Sequence, residues 1–410
     1  MAREMKNSGV RWIGDIPSNW GMSKFKAEGS VLSGFPFNSE KFTSDTGFPL
    51  IRIRDITSGQ AGTFYDGDYP TSYIIHDGDF LLGMDGEFNV RWWQGGDALL
   101  NQRCCRLSLN NKFFAKYIFY LIPFGLKLIN DLAYSTTVKH LSVPDILNLS
   151  LLVPPLSEQK AIADFLDAKC GEIDGLLVDL DAEVKTLTEY KKSIIAETVT
   201  RGLNYNAPMK KVSLGWIDEL PANWSVARIA SVYSVRNEKV SDQDFQPLSV
   251  TMKGIVPQLE NAAKTKHGDD RKLIRKGDFV INSRSDRRGS CGISPYDGSC
   301  SLINTVLAPR EEMNPRYYNW LFHTTQFADE FYKWGYGIVD DLWTTNWGAM
   351  RRIQIPMPPL EEQAEIAAYL DKKVPQIDET ITLKQDQIET LKAYKSSLIY
   401  EYVTGKKQVL

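Results

Sequence analysis

A chain that repeats itself constrains its own fold, and this one does so at a spacing of 204 residues. Val153-Pro154-Pro155-Leu156-Ser157-Glu158-Gln159 returns as Met357-Pro358-Pro359-Leu360-Glu361-Glu362-Gln363, and Tyr190 to Glu197 returns as Tyr394 to Glu401. The same offset carries Trp12-Ile13, Pro17 and Asn19-Trp20 onto Trp216-Ile217, Pro221 and Asn223-Trp224. Between 153 and 200, 21 of 48 positions are identical to their counterparts, whereas the segments between these anchors have diverged. A long-period duplication of this kind predicts internal pseudo-two-fold symmetry. Two similar scaffolds would then present two different surfaces.

The repeated segments read as helices. Ile173, Leu177, Leu180, Val184 and Leu187, continuing to Ile194, alternate spacings of four and three, the pattern of a coiled-coil seam. Ile377, Ile381, Ile388, Leu391 and Leu398 occupy the matching positions of the second copy. Lys191 and Lys395 fall on the same seam, where a polar residue sets register at some cost in stability. Gly171 and Pro375 are equivalent and predict an interruption, leaving a short helix and then a long one over 172–200 and 376–404. Each long helix would then measure about 43 Å at about 1.5 Å per residue. A seam needs a partner, and pseudo-two-fold symmetry makes the pair antiparallel; the alternative is that each helix packs privately on its own domain.

The divergent middles read as mixed α/β domains. Pro49 to Ile56 alternates apolar and basic residues as a strand does. His76-Asp77-Gly78-Asp79 feeds the apolar run Phe80 to Gly83, and Arg275-Lys276-Gly277-Asp278 feeds Phe279 to Asn282 in the same way. Each middle then reaches an aromatic helix, at Phe113 to Leu121 and at Tyr317 to Phe322. The expected fold class is α+β, with two mixed α/β domains separated by an antiparallel pair of long coiled-coil helices. Along the chain this predicts an N-terminal segment 1–20 that pairs with the helical regions and a first variable domain over 21–152. A central helical region over 153–207, a second variable domain over 208–355 and a C-terminal helical region over 356–410 follow.

Charge supports the division. The net charge is −3, yet residues 153–200 carry five cations against ten acids and residues 360–404 five against nine. Segment 225–355 carries 18 against 15. The repeated parts are acidic, and the second variable part is basic. Five cysteines without CxxC spacing and only four histidines argue for free thiols and against zinc. No apolar run approaches the roughly 18 residues of a membrane span, and the polar start is unlike a secretory signal. A prokaryotic cytoplasmic location is expected.

The paired Pro-Pro-Leu-x-Glu-Gln segments, each leading into a heptad helix, and the Gly-Asp-Phe-Leu-Leu and Gly-Asp-Phe-Val-Ile turns resemble the DNA-specificity subunits of Type I restriction-modification systems. The resemblance spans essentially the whole chain. It implies a non-catalytic subunit with two target recognition domains, each reading one half of a bipartite, asymmetric site on double-stranded DNA. It also implies helical regions that set the spacer and dock two methyltransferase subunits, with up to two restriction/translocase subunits joining them. Those partners would use S-adenosylmethionine, ATP and magnesium, and this chain would bind no cofactor. The other class of protein that fits the pattern is a coiled-coil adaptor with duplicated protein-binding domains.

Reading DNA needs phosphate contacts for register and base-edge contacts for sequence, with Arg, Lys, Asn and Gln as the usual readers. In the first domain these are Arg52, Arg54, Asn89, Arg91, Gln102 and Arg103. Arg52 and Arg54 are expected to share one strand face, either toward DNA or as a solvated face ion-paired to Asp55 or Asp85. The turn Ser135-Thr136-Thr137-Val138-Lys139-His140 adds Thr136, Thr137, Lys139 and His140, with a cap or core role for His140 as the alternative. In the second domain the candidates are Lys266, Arg271, Lys272, Asn282, Arg284, Arg287, Arg288, Thr345 and Asn346, those from 282 to 288 in a loop shaped to enter a groove or to lie solvated. The tryptophans are expected to build cores. Walker, Rossmann and amino-methyltransferase Asn/Asp-Pro-Pro-Tyr motifs are absent from the sequence.

Overall fold

A computed structural model of the chain describes residues 3–110, 113–132, 139–258, 268–284, 288–337 and 343–409. Two compact units emerge, and neither coincides with one copy of the repeat. The first comprises residues 1–180 and 387–410, the second residues 181–386. The boundaries fall inside the two long helices. Each unit therefore contains one variable domain, the first part of one long helix and the last part of the other.

In the first unit, an antiparallel hairpin (Met5–Asn7 with Asp15–Pro17) precedes strand Gly21–Lys24, which pairs antiparallel with Ser150–Val153 just before the central helix. The domain itself holds a four-stranded antiparallel sheet in the order Val90–Trp92, Phe80–Gly83, Cys104–Leu109, Gly29–Ser33. A five-stranded sheet beside it includes the parallel pair Phe48–Ile51 and Ala98–Leu100. Phe80–Gly83 is buried throughout, as an apolar run after a Gly-Asp turn should be. Helix Ala115–Leu132 covers the core with Tyr117, Ile118, Leu121 and Ile122.

The second unit repeats this plan. Hairpin Met209–Lys211 with Glu219–Pro221 leads to Ser225–Arg228, paired antiparallel with Gln354–Met357 ahead of the C-terminal helix. Its four-stranded sheet runs Tyr233–Arg236, Asn304–Pro309, Phe279–Asn282, Cys291–Ile293. The second layers differ: here a three-stranded sheet and a separate hairpin replace the five-stranded sheet. The shared α+β scaffold and the internal repeat are as the sequence predicts.

The same polar clasps anchor the helices in both units. Gln159 accepts from the Phe114 amide at 3.0 Å and donates to Pro154 O at 2.9 Å. Its counterpart Gln363 accepts from the Asn314 amide at 2.9 Å and donates to Pro358 O at 2.8 Å. Both glutamines are buried, so each amide is satisfied where water is excluded, and this explains why the Pro-Pro-Leu-x-Glu-Gln pattern ends in glutamine. Tyr117 donates to Val403 O at 3.0 Å and Tyr317 to Val199 O at 2.8 Å, tying each domain to the end of the other repeat's helix.

The helices depart from expectation in one respect. They run without interruption as Leu156–Arg201 and Leu360–Val403, through Gly171 and through Pro375. A proline in a helix interior costs about 3 kcal/mol by removing one hydrogen bond and crowding the preceding turn. Val374 and Ile377 beside it are buried, and that packing holds the turn in place. The elements are therefore about 69 and 66 Å long at about 1.5 Å per residue, not the shorter rods the breaks implied.

Pairing is antiparallel within each unit. In the first, Lys395 bonds Asp174 at 2.6 Å, and the Tyr402 ring lies 4.5 Å from that of Phe165. In the second, Lys191 bonds Asp378 at 2.6 Å, and Lys384 also reaches Glu183. The seam lysines thus cross to aspartates on the facing helix, at matching places in the two units. Ile173, Ile377, Ile388 and Leu398 are buried in the seam, while Leu177, Leu180, Val184, Leu187, Ile381 and Leu391 are half-buried, as a two-stranded contact requires. The N-terminal segment joins the first unit's helices: Arg3 pairs with Glu158 at 2.6 Å, and Tyr400 donates to Trp12 O at 2.8 Å.

Candidate nucleic-acid interface

The site of the first domain forms around Asp85. Strand Phe80–Gly83 delivers Met84 and Asp85 to the sheet's end, and the turn Asn101–Arg103 approaches from the neighbouring strand, with the Met84 amide bonded to Arg103 O at 2.9 Å. Backbone bridging joins Asp85 to His140. Asp85 then accepts from His140 Nδ1 at 2.7 Å and lies 3.4 Å from the Arg103 guanidinium. Arg103 and His140 remain about half exposed, so the carboxylate orients both donors without hiding them. Asn89 and Gln102 are exposed nearby in sequence, each with an amide free of side-chain partners among the described residues. Lys139 is half-buried and spends its ammonium on Asn130 O at 2.6 Å.

Three arginines of that domain have structural partners instead. The segment read as one strand is a strand, Phe48–Ile51, followed by a helix, Ile53–Ser58. Asp55 accepts from the Arg52 amide at 2.8 Å to start that helix, and Gly59 ends it with a left-handed φ of 79°. Arg52 and Arg54 therefore share no strand face. Arg52 lies over the Phe42 ring at 5.7 Å, and Arg54 donates to Thr63 Oγ1 at 2.8 Å. Arg91 closes the helix's other end by donating to the Ile56 and Thr57 carbonyls, the last-turn acceptors a helix leaves open. Thr136 and Thr137 lie outside the described residues.

The second domain builds the corresponding place from other side chains. Backbone bridging joins Arg284 to Thr344 as it joins Asp85 to His140. Arg284 is exposed; its amide bonds Asn282 Oδ1 at 3.0 Å, and its guanidinium has no partner among the described residues. Asn282 is half-buried at the strand end. Lys272 is half-buried and bonded to Asn304 O at 2.7 Å, and desolvation holds its ammonium below the ordinary lysine value. The turn equivalent to the one that carries Arg103 holds Leu302 and Ile303, both exposed. Sequence reasoning passed over these two, because aliphatic residues carry no polar signal.

Other candidates are redistributed. Arg271 is buried and donates to Ser299 Oγ at 2.8 Å, which removes it from any groove-facing role. Thr345 is buried on Phe331 O at 2.8 Å. Asn346 is exposed but caps helix Trp347–Met350 and donates to the Tyr336 hydroxyl at 2.8 Å. Arg288 stacks over Tyr332 at 3.9 Å and pairs with Asp329 at 3.1 Å, remaining half exposed. Lys266 and Arg287 lie outside the described residues. Trp93 is fully buried, and Trp92, Trp334 and Trp347 pack against the cores, as expected.

Burial pushes the Cys104 thiol up to about 12 and the Cys300 thiol to about 11, and raises Cys105 and Cys291 likewise. Such thiols stay protonated at neutral pH and are poor nucleophiles and metal ligands. Among the described residues no cluster of His, Cys, Asp and Glu could hold a metal ion, and no helix is long and apolar enough to cross a membrane.

Two matched sites on a duplicated scaffold, with the helices clasped identically, find a match among known families. A family model described as the Type I restriction modification DNA specificity domain matches twice, over residues 17–174 and 221–393. The chain belongs to the Type I restriction-modification specificity family. Over 230 residues it is 32% identical to the Type I restriction enzyme EcoBI specificity subunit of Escherichia coli, covering 55% of this chain and 48% of that one. It thus spans about half the length of that relative. A putative MjaX specificity subunit of Methanocaldococcus jannaschii is 24% identical over 439 residues, covering 97% of this chain and 96% of that one. A chain solved in a study of complex assembly and conformational transition of the type I R-M system superposes with a TM-score of 0.73 at 16% identity, over 96% of this chain and 99% of that one. The HsdS subunit of Thermoanaerobacter tengcongensis gives 0.52 at 17% identity, over 96% and 98%. These likenesses identify a specificity-subunit fold. Both copies of the domain in this family member carry the matched loop ends described above.

Proposed function

We propose that this chain is the target-reading subunit of a Type I restriction-modification complex and that each recognition domain reads one half of a bipartite, asymmetric site on double-stranded DNA. The observation that carries this reading is the substitution of Asp85 and His140 by Arg284 and Thr344 at one and the same backbone bridge. Identical frames with opposite charge at the loop end suit two different half-sites, because base edges are told apart by the donors and acceptors set against them. Arg103, His140, Asn89 and Gln102 are the base and phosphate contacts of the first half; Arg284 and Arg288 serve the second.

In this reading the paired helices set the spacer and dock two methyltransferase subunits, with up to two restriction/translocase subunits outside them. The continuity of each helix through Gly171 and Pro375 supports a ruler, since an unbroken helix transmits length at a constant rise. Chemistry belongs to the partners, which would bind S-adenosylmethionine, ATP and magnesium.

The test is methylome sequencing of cells carrying the chain with its neighbouring methyltransferase. Replacing Arg103 should alter one half of the methylated motif and replacing Arg284 the other, with spacer length unchanged. A motif that is continuous, or that changes in both halves with either substitution, is incompatible with divided reading.

A further inference from the structure

The loop ends of the two domains differ most at the turn leading into the long central strand. In the first domain that turn ends in Gln102-Arg103; in the second it ends in Leu302-Ile303. The register makes them equivalent, Cys104 opposing Gly83 in one sheet and Asn304 opposing Asn282 in the other. Leu302 and Ile303 are 40% and 39% exposed, and with Arg284, Thr344 and Lys272 they line one open cleft. Two adjacent aliphatic side chains thus stand beside the Arg284 guanidinium, which has no partner among the described residues, and the cleft sets an apolar patch next to a cation.

We infer that Leu302 and Ile303 are specificity-determining residues that seat against the 5-methyl group of a thymine in the half-site read by the second domain. Among the major-groove edges of the four base pairs, only thymine offers an apolar group, the C5-methyl. Arg284 beside them supplies the donor for a neighbouring acceptor or phosphate, so one cleft would read an apolar and a polar feature on adjacent bases. The first domain, with Gln102 and Arg103 in that place, has no such preference. The inference rests on the DNA-reading role proposed above and adds the chemistry of one base.

The experiment uses the complex of the full chain with its methyltransferase. Its half-site is assigned by the motif change in Arg284→Ala, and duplexes are prepared with each thymine of that half replaced singly by uracil, which removes only the methyl. Uracil at one position should weaken binding roughly fourfold, the worth of one buried methyl-sized group. Uracil in the other half should have no effect. In Leu302→Ser/Ile303→Ser, the thymine and uracil duplexes should bind alike, and since both side chains are exposed the fold should survive. Equal binding of every uracil duplex by the unaltered chain, discrimination that persists in the double variant, or a half-site with no A·T pair would each overturn the inference. Weaker binding of the double variant without methyl dependence would assign the two residues to a wedge between bases or to a protein contact, and overturns it too. Absence of salt-dependent binding to any duplex would instead refute the DNA-reading role itself.

Discussion

The two units agree where they meet the helices and disagree where their loops end. Lys395 with Asp174 and Lys191 with Asp378 are the same ion pair at equivalent places, both 2.6 Å long. The two buried glutamines and the two tyrosine–carbonyl bonds repeat just as faithfully. At the loop ends Asp85 stands where the second domain has Arg284, and Arg103 where it has Ile303. Buried polar groups tolerate little change, because an unmatched donor or acceptor there costs about 1–3 kcal/mol. Solvated loop tips carry no such constraint, so the same scaffold accepts two different surfaces.

Substitutions at equivalent positions of the two units test how far their likeness goes. The largest effect should come from Trp20→Ala and Trp224→Ala, equivalent core residues that are almost fully buried, each costing about 3–5 kcal/mol in denaturant titration. If one is near neutral, the two cores are not equivalent. Next, Arg284→Ala should weaken binding to the cognate duplex by about 1–3 kcal/mol, roughly 5- to 150-fold, and relax one base position. A uniform loss over all sequences, with a shallower salt slope, would make Arg284 a phosphate contact instead. Tyr117→Phe and Tyr317→Phe should each destabilise by about 1 kcal/mol or somewhat more, because each leaves a buried helix-end carbonyl without its donor. Calorimetry giving unequal losses would show that one clasp is merely decorative. Last, Lys191→Met and Lys395→Met should change stability by no more than about 1 kcal/mol, with the effect fading in salt, since both pairs are partly solvated.

Much of the fold was legible because it is written in periodic apolar positions. The heptad seam and the two apolar strands after Gly-Asp turns appear where the pattern put them, and of the aromatic helices the second does so while the first starts at Ala115 and runs on to Leu132. The exceptions are local. Pro49 to Ile56 alternates like a strand, yet the carboxylate of Asp55 bonded to the Arg52 amide turns its second half into a helix. Gly171 and Pro375 looked like breaks, yet seam packing carries both helices through them. The site was legible only as a pool of residue types. Arg103, Arg284 and Arg288 remain accessible; Arg91 and Arg271 satisfy carbonyls and a hydroxyl within the fold. Leu302 and Ile303 were invisible to a search for polar readers.

The duplication, the apolar seams and the split between constant ends and variable middles follow from spacing and hydrophobic period, which are legible along the chain. The folded arrangement decided that the seams pair antiparallel and which cations remain accessible. A guanidinium's role depends on whether an unsatisfied acceptor lies within hydrogen-bond reach, and such acceptors come from segments distant in the chain. It also decided the boundaries of the compact units, which pass through the helices, because burial follows proximity in space and a helix end packs on whichever domain the antiparallel pairing brings to it.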